Sequence, residues 1–213
     1  GPALLETLPA AAHLDRPALD AALRDGALVV DLRTREDFER AHVMGTVSIP
    51  ATSSNFSTYV GWFVDFDRPM YAIVPSETDA NALIAGLRAI GVDQIGGTFT
   101  PDVIGQETTA LPVINAQDLA LRLPQNGIRI IDVRGKSEYV EEHIVGAQHI
   151  ALGYLPQHLQ DIPRDTLVVM QCASGYRSQI ATSYLRARGF DNIVNLTDGH
   201  EVWARALPTE AGA

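Results

Sequence analysis

The chain contains two copies of one sequence pattern, and this internal repeat limits the possible folds more than any other feature. The matching pairs of segments are residues 29–33 and 130–134, residues 38–46 and 139–147, and residues 87–91 and 185–189. The first two pairs are offset by 101 residues and the third by 98. A repeat of this length is typical of a duplicated domain and not of a solenoid. We therefore divide the chain into two domains, residues 1–105 and residues 106–213.

Each copy alternates short strands with helices. In the second copy the pattern predicts helices over residues 117–123, 137–142 and 178–188, and strands over residues 128–133, 167–171 and 193–196. In the first copy Asp15 is a good N-cap, Pro17 lies in the first turn and Gly26 ends the helix. Because the apolar strands show little alternation, we expect a parallel sheet buried between layers of helices. Residues 100–112 are rich in turn-forming residues and predict an interdomain linker.

Cys172 is the only cysteine of the chain, and it stands between a predicted strand and a predicted helix. In such a segment the backbone N–H groups converge near the start of the helix, where the helix dipole also favours an anion. A thiolate placed there is stabilised and is a good nucleophile. A lone cysteine is often a small buried hydrophobe, but the polar residues from Ser174 to Arg177 form a loop that no core requires. We therefore predict that Cys172 is catalytic and that Arg177 closes its loop with a fixed positive charge.

Composition excludes several classes of function. The net charge of −10 argues against binding to nucleic acid, which needs a basic face. Residues 1–105 carry 7 basic and 14 acidic side chains, and residues 106–213 carry 9 basic and 12 acidic ones. The second domain is therefore the less acidic one, which is a hint that it receives an anion. The apolar runs are too short for a membrane span. We expect no membrane partner.

The expected location is the cytoplasm. Residues 1–12 lack the pattern of a signal peptide, and a single free thiol suits a reducing compartment. Gly1-Pro2 is typical of the remnant of a cleaved tag, so we expect the chain to be part of a longer protein.

Four motifs of the second copy occur together in one known family. They are D-V-R at residues 132–134, E-H-I-x-G-A at 142–147, C-x-x-G-x-R-S at 172–178, and Trp203 followed by Leu207-Pro208. On these motifs the second copy resembles a rhodanese domain along its whole length. The first copy resembles the same family over residues 18–97. The resemblance implies an α/β fold of two tandem rhodanese-like domains, each a mainly parallel sheet flanked by helices.

The pair of domains, with the intervening residues 56–69, also resembles the rhodanese region of bacterial persulfide dioxygenase–rhodanese fusion proteins. In those proteins a metallo-β-lactamase-like iron domain precedes the rhodanese part, so such an N-terminal domain is an expected partner in the full-length protein. The six histidines of this chain are scattered, and none forms an H-x-H-x-D-H cluster. We predict no metal site within this sequence.

The first copy lacks the residues that the chemistry needs. At the offset of 98, Cys172 corresponds to Val74 and Arg177 to Asp79. A valine cannot attack, Asp79 repels an anion, and Pro75 removes an N–H donor. The first domain is therefore expected to be structural or regulatory.

The length of the loop points to the class of reaction. Four residues lie between Cys172 and Arg177, and in the family that this loop resembles four residues imply a pocket for a sulfur atom. Five residues, as in related cysteine phosphatases and arsenate reductases, imply a wider pocket for an oxyanion. We favour a thiosulfate or persulfide sulfurtransferase. The alternatives are a persulfide carrier or partner-binding module of a larger sulfide-oxidation protein that does not turn over, and a cysteine-based phosphatase or arsenate reductase.

The expected mechanism is double displacement through a persulfide on Cys172. Thiosulfate, glutathione persulfide or another persulfide gives up its outer sulfur, and cyanide, sulfite, glutathione or a protein thiol removes it. No cofactor is required besides the covalent persulfide. The expected substrate-binding residues are those of the loop: Ala173, Ser174, Gly175, Tyr176, Arg177 and Ser178. Their amides would hold the anionic persulfide, and Arg177 would bind the anionic end of the donor or stabilise the loop.

Several neighbours of the loop receive supporting roles. Asp132 and Arg134 end a predicted strand near the site, and we expect Arg134 to pair with Glu138 or Glu142. His143 is expected to be structural, because its equivalent persists in the copy without a cysteine. Trp203 is expected to contribute packing. The family's common Gly-Gly near the C-terminus is replaced here by Asp198-Gly199.

Overall fold

The computed structural model describes residues 10–105, 107–125 and 127–212. The chain divides into two compact units, Gly1–Ala110 and Leu111–Ala213, so the boundary lies after Ala110 and not after residue 105. Residues 1–9, with Gly1-Pro2 and most of the segment considered for a signal peptide, lie outside the described residues. Among the described residues no helix has the length and apolar character needed to cross a bilayer.

The first unit consists of a four-stranded parallel sheet with helices between the strands. Its elements are α1 (Arg16–Arg24), β1 (Val29–Asp31), α2 (Arg35–Arg40), β2 (Val47–Ser48), α3 (Phe56–Gly61), β3 (Met70–Ile73), α4 (Glu77–Arg88) and β4 (Ile95–Phe99). The strand order is β2-β1-β3-β4. As predicted, Asp15 caps α1 by accepting the N–H of Ala18, and Gly26 follows the helix with a φ of 69°.

The predicted linker is partly wrong, because its first residues belong to the first unit. Residues Pro101–Ile104 form a 3-10 helix. Val103 and Ile104 are buried in the same apolar cluster as Leu19 and Phe99. Turn-forming residues alone did not reveal that two apolar side chains anchor this segment to the core.

The second unit has a five-stranded parallel sheet. Its elements are β5 (Val113–Ile114), α5 (Ala116–Arg122), β6 (Ile128–Asp132), α6 (Lys136–Glu141), β7 (His143–Ile144), β8 (Gln148–His149), β9 (Leu167–Gln171), α7 (Tyr176–Arg186), β10 (Ile193–Leu196), α8 (His200–Ala206) and β11 (Thr209–Glu210). The strand order is β5-β10-β9-β6-β8. The short strands β7 and β11 form a separate antiparallel pair. The predicted mixed α/β fold with parallel sheets between helices is confirmed.

The two units have the same strand order where they overlap, since β8-β6-β9-β10 repeats β2-β1-β3-β4. The register agrees as well: Asp31 lies opposite Ile73 in the first unit, and Asp132 lies opposite Gln171 in the second. The residue after β3, Val74, therefore occupies the place that Cys172 occupies after β9.

The sheet of the second unit has a different layer of helices on each face. An apolar cluster that includes Val169, Leu196 and Trp203 joins one face to α5 and α8. Helix α7 packs against β9 and β10. Because side chains alternate along a strand, Val169 and Gln171 face α5 and α8, whereas Met170 faces the opposite side, which is left for α7.

Candidate active site

The thiol of Cys172 is buried at the junction of β9 and α7. Cys172 directly follows the last residue of β9, and it is 1 % exposed. Its Sγ lies 3.4 Å from the Oγ of Ser178, a fully buried residue in the first turn of α7. The sulfur atom therefore lies beside the N-terminal turn of an 11-residue helix, where partial positive charge favours an anion.

The six predicted binding residues form the turn from Cys172 into α7. The helix begins at Tyr176, two residues before its predicted start, so Tyr176 and Arg177 lie in its first turn and not in the loop. Gly175 is the N-cap and has a φ of 77°, a left-handed conformation that glycine adopts at little cost. Ser174 is exposed, whereas Gly175 is buried. The short connection of Ala173, Ser174 and Gly175 keeps the helix N-terminus close to the sulfur.

The guanidinium of Arg177 is engaged by a carboxylate. Its Nη1 and Nη2 donate to the two oxygens of Glu138 at 2.6 and 2.7 Å. Glu138 also accepts the N–H of Gly135 at 3.0 Å. The hydrogen bond from Arg177 lowers the pKa of Glu138, and the bond from Gly135 adds to this effect. Of the two roles expected for Arg177, the contact favours stabilisation of the loop, because it ties the start of α7 to α6.

The predicted partner of Arg134 is wrong. Arg134 pairs with Asp132 through its Nε and Nη2 atoms, at 2.7 Å for the shortest contact, and Nη2 also donates to the backbone carbonyl of Glu142. The first unit contains the same arrangement, with Arg33 on Asp31 and on the carbonyl of Ala41. The D-x-R spacing thus builds an ion pair at a strand end in both units, with or without a cysteine nearby.

His143 has the structural role that was predicted. Its Nδ1 lies 2.8 Å from the carbonyl of Tyr139, and its ring stacks on that of Tyr139 at 3.8 Å. His42 makes the equivalent contacts with Phe38, at 2.8 Å and 3.9 Å.

Two backbone carbonyls at the start of the loop accept hydrogen bonds from groups on the side of the sheet where α8 lies. The carbonyl of Cys172 accepts the Nε1–H of Trp203 at 3.2 Å and the side-chain amide of Gln171 at 3.1 Å. The carbonyl of Ala173 accepts the backbone N–H of His200 at 2.7 Å. The role expected for Trp203 was packing only. The signal for a second role was the indole itself, since a buried tryptophan usually needs a partner for its N–H.

A cleft with a volume of about 700 Å³ opens beside the loop at Ala173 and Ser174. The ionisable side chains that line it are Glu138, Glu141, Glu142, Glu201, Arg134 and His200. Several of these groups are engaged: Arg134 pairs with Asp132, Glu138 pairs with Arg177, and His200 lies 2.9 Å from Glu142. Glu141 and Glu201 add two further carboxylates, so the cleft is acidic, and the hint that this half of the chain receives an anion gains no support from it.

Asp198 contacts the start of α5, and Gly199 lies against the loop that follows Cys172. The carboxylate of Asp198 accepts the N–H of Ala116, the first residue of α5. A Cβ on Gly199 would lie 3.0 Å from the carbonyl oxygen of Ala173, so a larger residue would press on the loop.

The second unit is similar in sequence to known proteins. Residues 115–206 match the rhodanese-like domain family. The chain is 32 % identical over 91 residues to the thiosulfate sulfurtransferase GlpE of Pseudomonas fluorescens, covering 43 % of this chain and 84 % of that protein. It is 33 % identical over 100 residues to a sulfurtransferase of Allochromatium vinosum, covering 46 % and 94 %. The solved rhodanese-like domain of an Anabaena protein is 27 % identical, with a TM-score of 0.44, covering 47 % of this chain and 79 % of that one.

The second unit is an α/β protein with a buried thiol between a parallel strand and a helix N-terminus, in a sheet flanked by helices. Within that class the chain belongs to the rhodanese family. The two curated relatives, of Pseudomonas fluorescens and Allochromatium vinosum, are named sulfurtransferases, and each matches somewhat less than half of this chain.

Proposed function

We propose that the second unit is a rhodanese-type sulfurtransferase that carries sulfur as a persulfide on Cys172. The observation that supports this most is the placement of the buried Sγ beside the first turn of α7, with four residues between Cys172 and Arg177. An anionic sulfur there faces the start of a helix, and the short turn suits one sulfur atom better than a tetrahedral oxyanion.

In the proposed first step the Cys172 thiolate attacks the outer sulfur of thiosulfate or of a persulfide. A new S–S bond forms at Cys172, and the old S–S bond breaks, so that sulfite or a thiolate leaves with the electron pair. In the second step an acceptor such as cyanide, sulfite, glutathione or a protein thiol attacks the outer sulfur, and the Cys172 thiolate is released. The amides of residues 173–178 hold the anionic persulfide. The cycle needs no cofactor or metal.

The donor is proposed partly from the relatives, one of which is named a thiosulfate sulfurtransferase. The acidic cleft favours a second possibility, because Glu141 and Glu201 beside the loop repel a small dianion such as thiosulfate. In that alternative Cys172 is a persulfide carrier that receives sulfur from an adjoining protein or domain, such as a metallo-β-lactamase-like domain preceding this region. A free thiol of this kind is best kept in a reducing compartment, the cytoplasm.

The first unit is proposed to be a rhodanese-like domain that has lost the chemistry and serves as a scaffold. Its sheet repeats the strand order of the second unit. Val74 takes the position of the nucleophile, and the helix that follows, α4, carries Glu77 and Asp79 in its first turn. The hydroxyl of Ser76 donates to Asp79 at 2.6 Å, so a carboxylate of the chain itself lies at the N-terminus of this helix.

The test is formation of thiocyanate from thiosulfate and cyanide, measured for the parent protein and for Cys172→Ser. Turnover in the parent and none in the variant supports the enzyme. Sulfur uptake by Cys172 without turnover supports the carrier. Turnover in Cys172→Ser, or hydrolysis of an aryl phosphate by the parent without any sulfur uptake, contradicts the proposal.

A further inference from the structure

The peptide groups after Cys172 have a fixed direction. In a planar trans peptide the C=O and the following N–H point in opposite directions. The carbonyls of Cys172 and Ala173 point toward donors on β9 and α8. The N–H groups of Ala173 and Ser174 therefore point away from α8.

The opposite side is the one that holds the sulfur. Trp203 belongs to the apolar cluster between the sheet and helices α5 and α8. The Sγ of Cys172 lies against Ser178 in α7, on the other face. Holding two carbonyls on the side of α8 thus turns two N–H groups toward the side of the sulfur, where they favour a negative charge.

The indole of Trp203 is itself held in place. It is fully buried. The guanidinium of Arg134 lies over the ring at 5.2 Å from its centroid, and the ring of His200 meets it edge-on at 4.7 Å. The ion pair of Arg134 with Asp132 fixes the guanidinium in turn. A rigid chain of contacts therefore connects the end of β6 to the carbonyl of Cys172.

The first unit provides an internal comparison. It keeps the Asp31–Arg33 ion pair, but the position of Gln171 is taken by Ile73, according to the strand register. After β4 it has the 3-10 helix Pro101–Ile104 in place of α8, and this segment contains no tryptophan. The unit without a nucleophile thus also lacks both side-chain donors to the carbonyl.

We infer that Trp203 is a positioning residue for the sulfur-transfer site, which orients the loop amides by holding the carbonyl of Cys172, with Gln171 as the second donor. The inference rests on the proposed function of Cys172 and adds a role that packing does not require. An indole that only fills space is replaceable by another aromatic ring, whereas an indole that donates a hydrogen bond is not.

The test compares Trp203→Phe and Gln171→Met with Leu207→Ala. Leu207 is buried in the same apolar cluster as Trp203, so its truncation weakens packing and removes no hydrogen bond. The first readout is the rate of alkylation of Cys172 by iodoacetamide between about pH 5 and pH 9, which follows the thiolate. Because the chain has one cysteine, the readout is specific, and it works even if no donor ever loads the protein with sulfur.

We expect the midpoint of this pH profile to rise by about one unit in Trp203→Phe, since the thiolate loses oriented N–H donors. Gln171→Met should raise it less. The transfer of sulfur from the donor to Cys172 should slow by about tenfold in Trp203→Phe. The change should appear mainly in the rate constant of this step and less in the KM for the donor. Leu207→Ala should lower the melting temperature and leave the midpoint unchanged.

The inference is overturned if the midpoint of the pH profile in both Trp203→Phe and Gln171→Met equals that of the parent. It is also overturned if Leu207→Ala shifts the midpoint as much as Trp203→Phe does. If Trp203→Phe does not fold, Gln171→Met decides by the same criterion. Normal alkylation of the parent together with failure to accept sulfur from any donor contradicts the proposed function instead, so the two failures are distinguishable.

Discussion

Arg177 and Glu138 form a two-point contact, with nitrogen–oxygen distances of 2.6 and 2.7 Å. The planar guanidinium matches the carboxylate in a way that an ammonium group does not. The contact joins the first turn of α7 to α6, and it neutralises the charge of Arg177 before a substrate arrives. In this account Arg177 organises the loop and does not act mainly as an anion receptor.

Replacing Arg177 with Ala should therefore lower kcat/KM for an anionic donor and for a neutral donor by similar factors of about tenfold, the loss of a charge-assisted hydrogen-bonded pair. Thiosulfate and an uncharged persulfide are suitable donors. Arg177→Lys is the matched control, and it should recover only part of the activity. A loss confined to thiosulfate would show that Arg177 binds the charge of the donor.

The stability contributed by Glu138 should depend on pH. The hydrogen bond from Arg177 lowers the pKa of Glu138 below its ordinary value of 4.5, so the unfolded chain takes up this proton first as the pH falls. The stabilisation by Glu138 is complete above about pH 4.5, and it is lost as the pH falls through the lowered pKa that Glu138 has in the folded protein. The difference in unfolding free energy between the parent and Glu138→Gln should shrink there, as measured by urea titration. In an Arg177→Ala background most of this pH dependence should disappear, and its persistence would assign the shift to another cause.

The acidic cleft should oppose anionic donors. Glu141→Gln with Glu201→Gln removes two charges near the loop, and we expect kcat/KM for thiosulfate to rise about two- to fivefold at low ionic strength. The gain should vanish in about 1 M salt, where charges are screened within a few ångströms. Asp165→Asn, before the opposite end of β9, is the control. An unchanged kcat/KM in the double variant would show that the donor does not approach through the cleft.

The first unit should not become active when it is given a thiol. In a Cys172→Ser background, Val74→Cys places a cysteine after β3, but Pro75 offers no N–H, and Asp79 already lies against the hydroxyl of Ser76. We expect thiosulfate turnover at the background level. Activity near that of the parent would mean that the first pocket is competent, which would refute its role as a scaffold.

The repeat, the parallel sheets between helices and the position of Cys172 between a strand and a helix were readable from the sequence. Strands β9 and β10 lie where the apolar runs predicted them, because buried parallel strands are marked by continuous apolar residues. The segment Pro101–Ile104 was misread as part of a linker, since its two core residues are too few to form a pattern. The predicted start of α7 at Ser178 is two residues too late, because Gly175 permits a turn so tight that Tyr176 is already helical.

The side-chain contacts of the site were harder to predict. Asp-x-Arg occurs in both copies, which was a sign that Arg134 pairs within its own motif, yet the expected partner was Glu138 or Glu142. The carboxylate of Glu138 is instead the partner of Arg177, 39 residues away in sequence. Contacts such as this one, or Trp203 on the carbonyl of Cys172, join elements that only the folded chain brings together, so no local pattern encodes them.

Intact-protein mass measurement after brief exposure to a sulfur donor tests the central claim most directly. Thiosulfate and glutathione persulfide are used in turn, and unreacted donor is removed before the measurement. We expect a gain of about 32 Da, one sulfur atom bound covalently to Cys172, which cyanide then removes. Cys172→Ser should show no gain. A parent protein whose mass stays unchanged with every donor, or an equal gain in Cys172→Ser, would contradict sulfur transfer through Cys172.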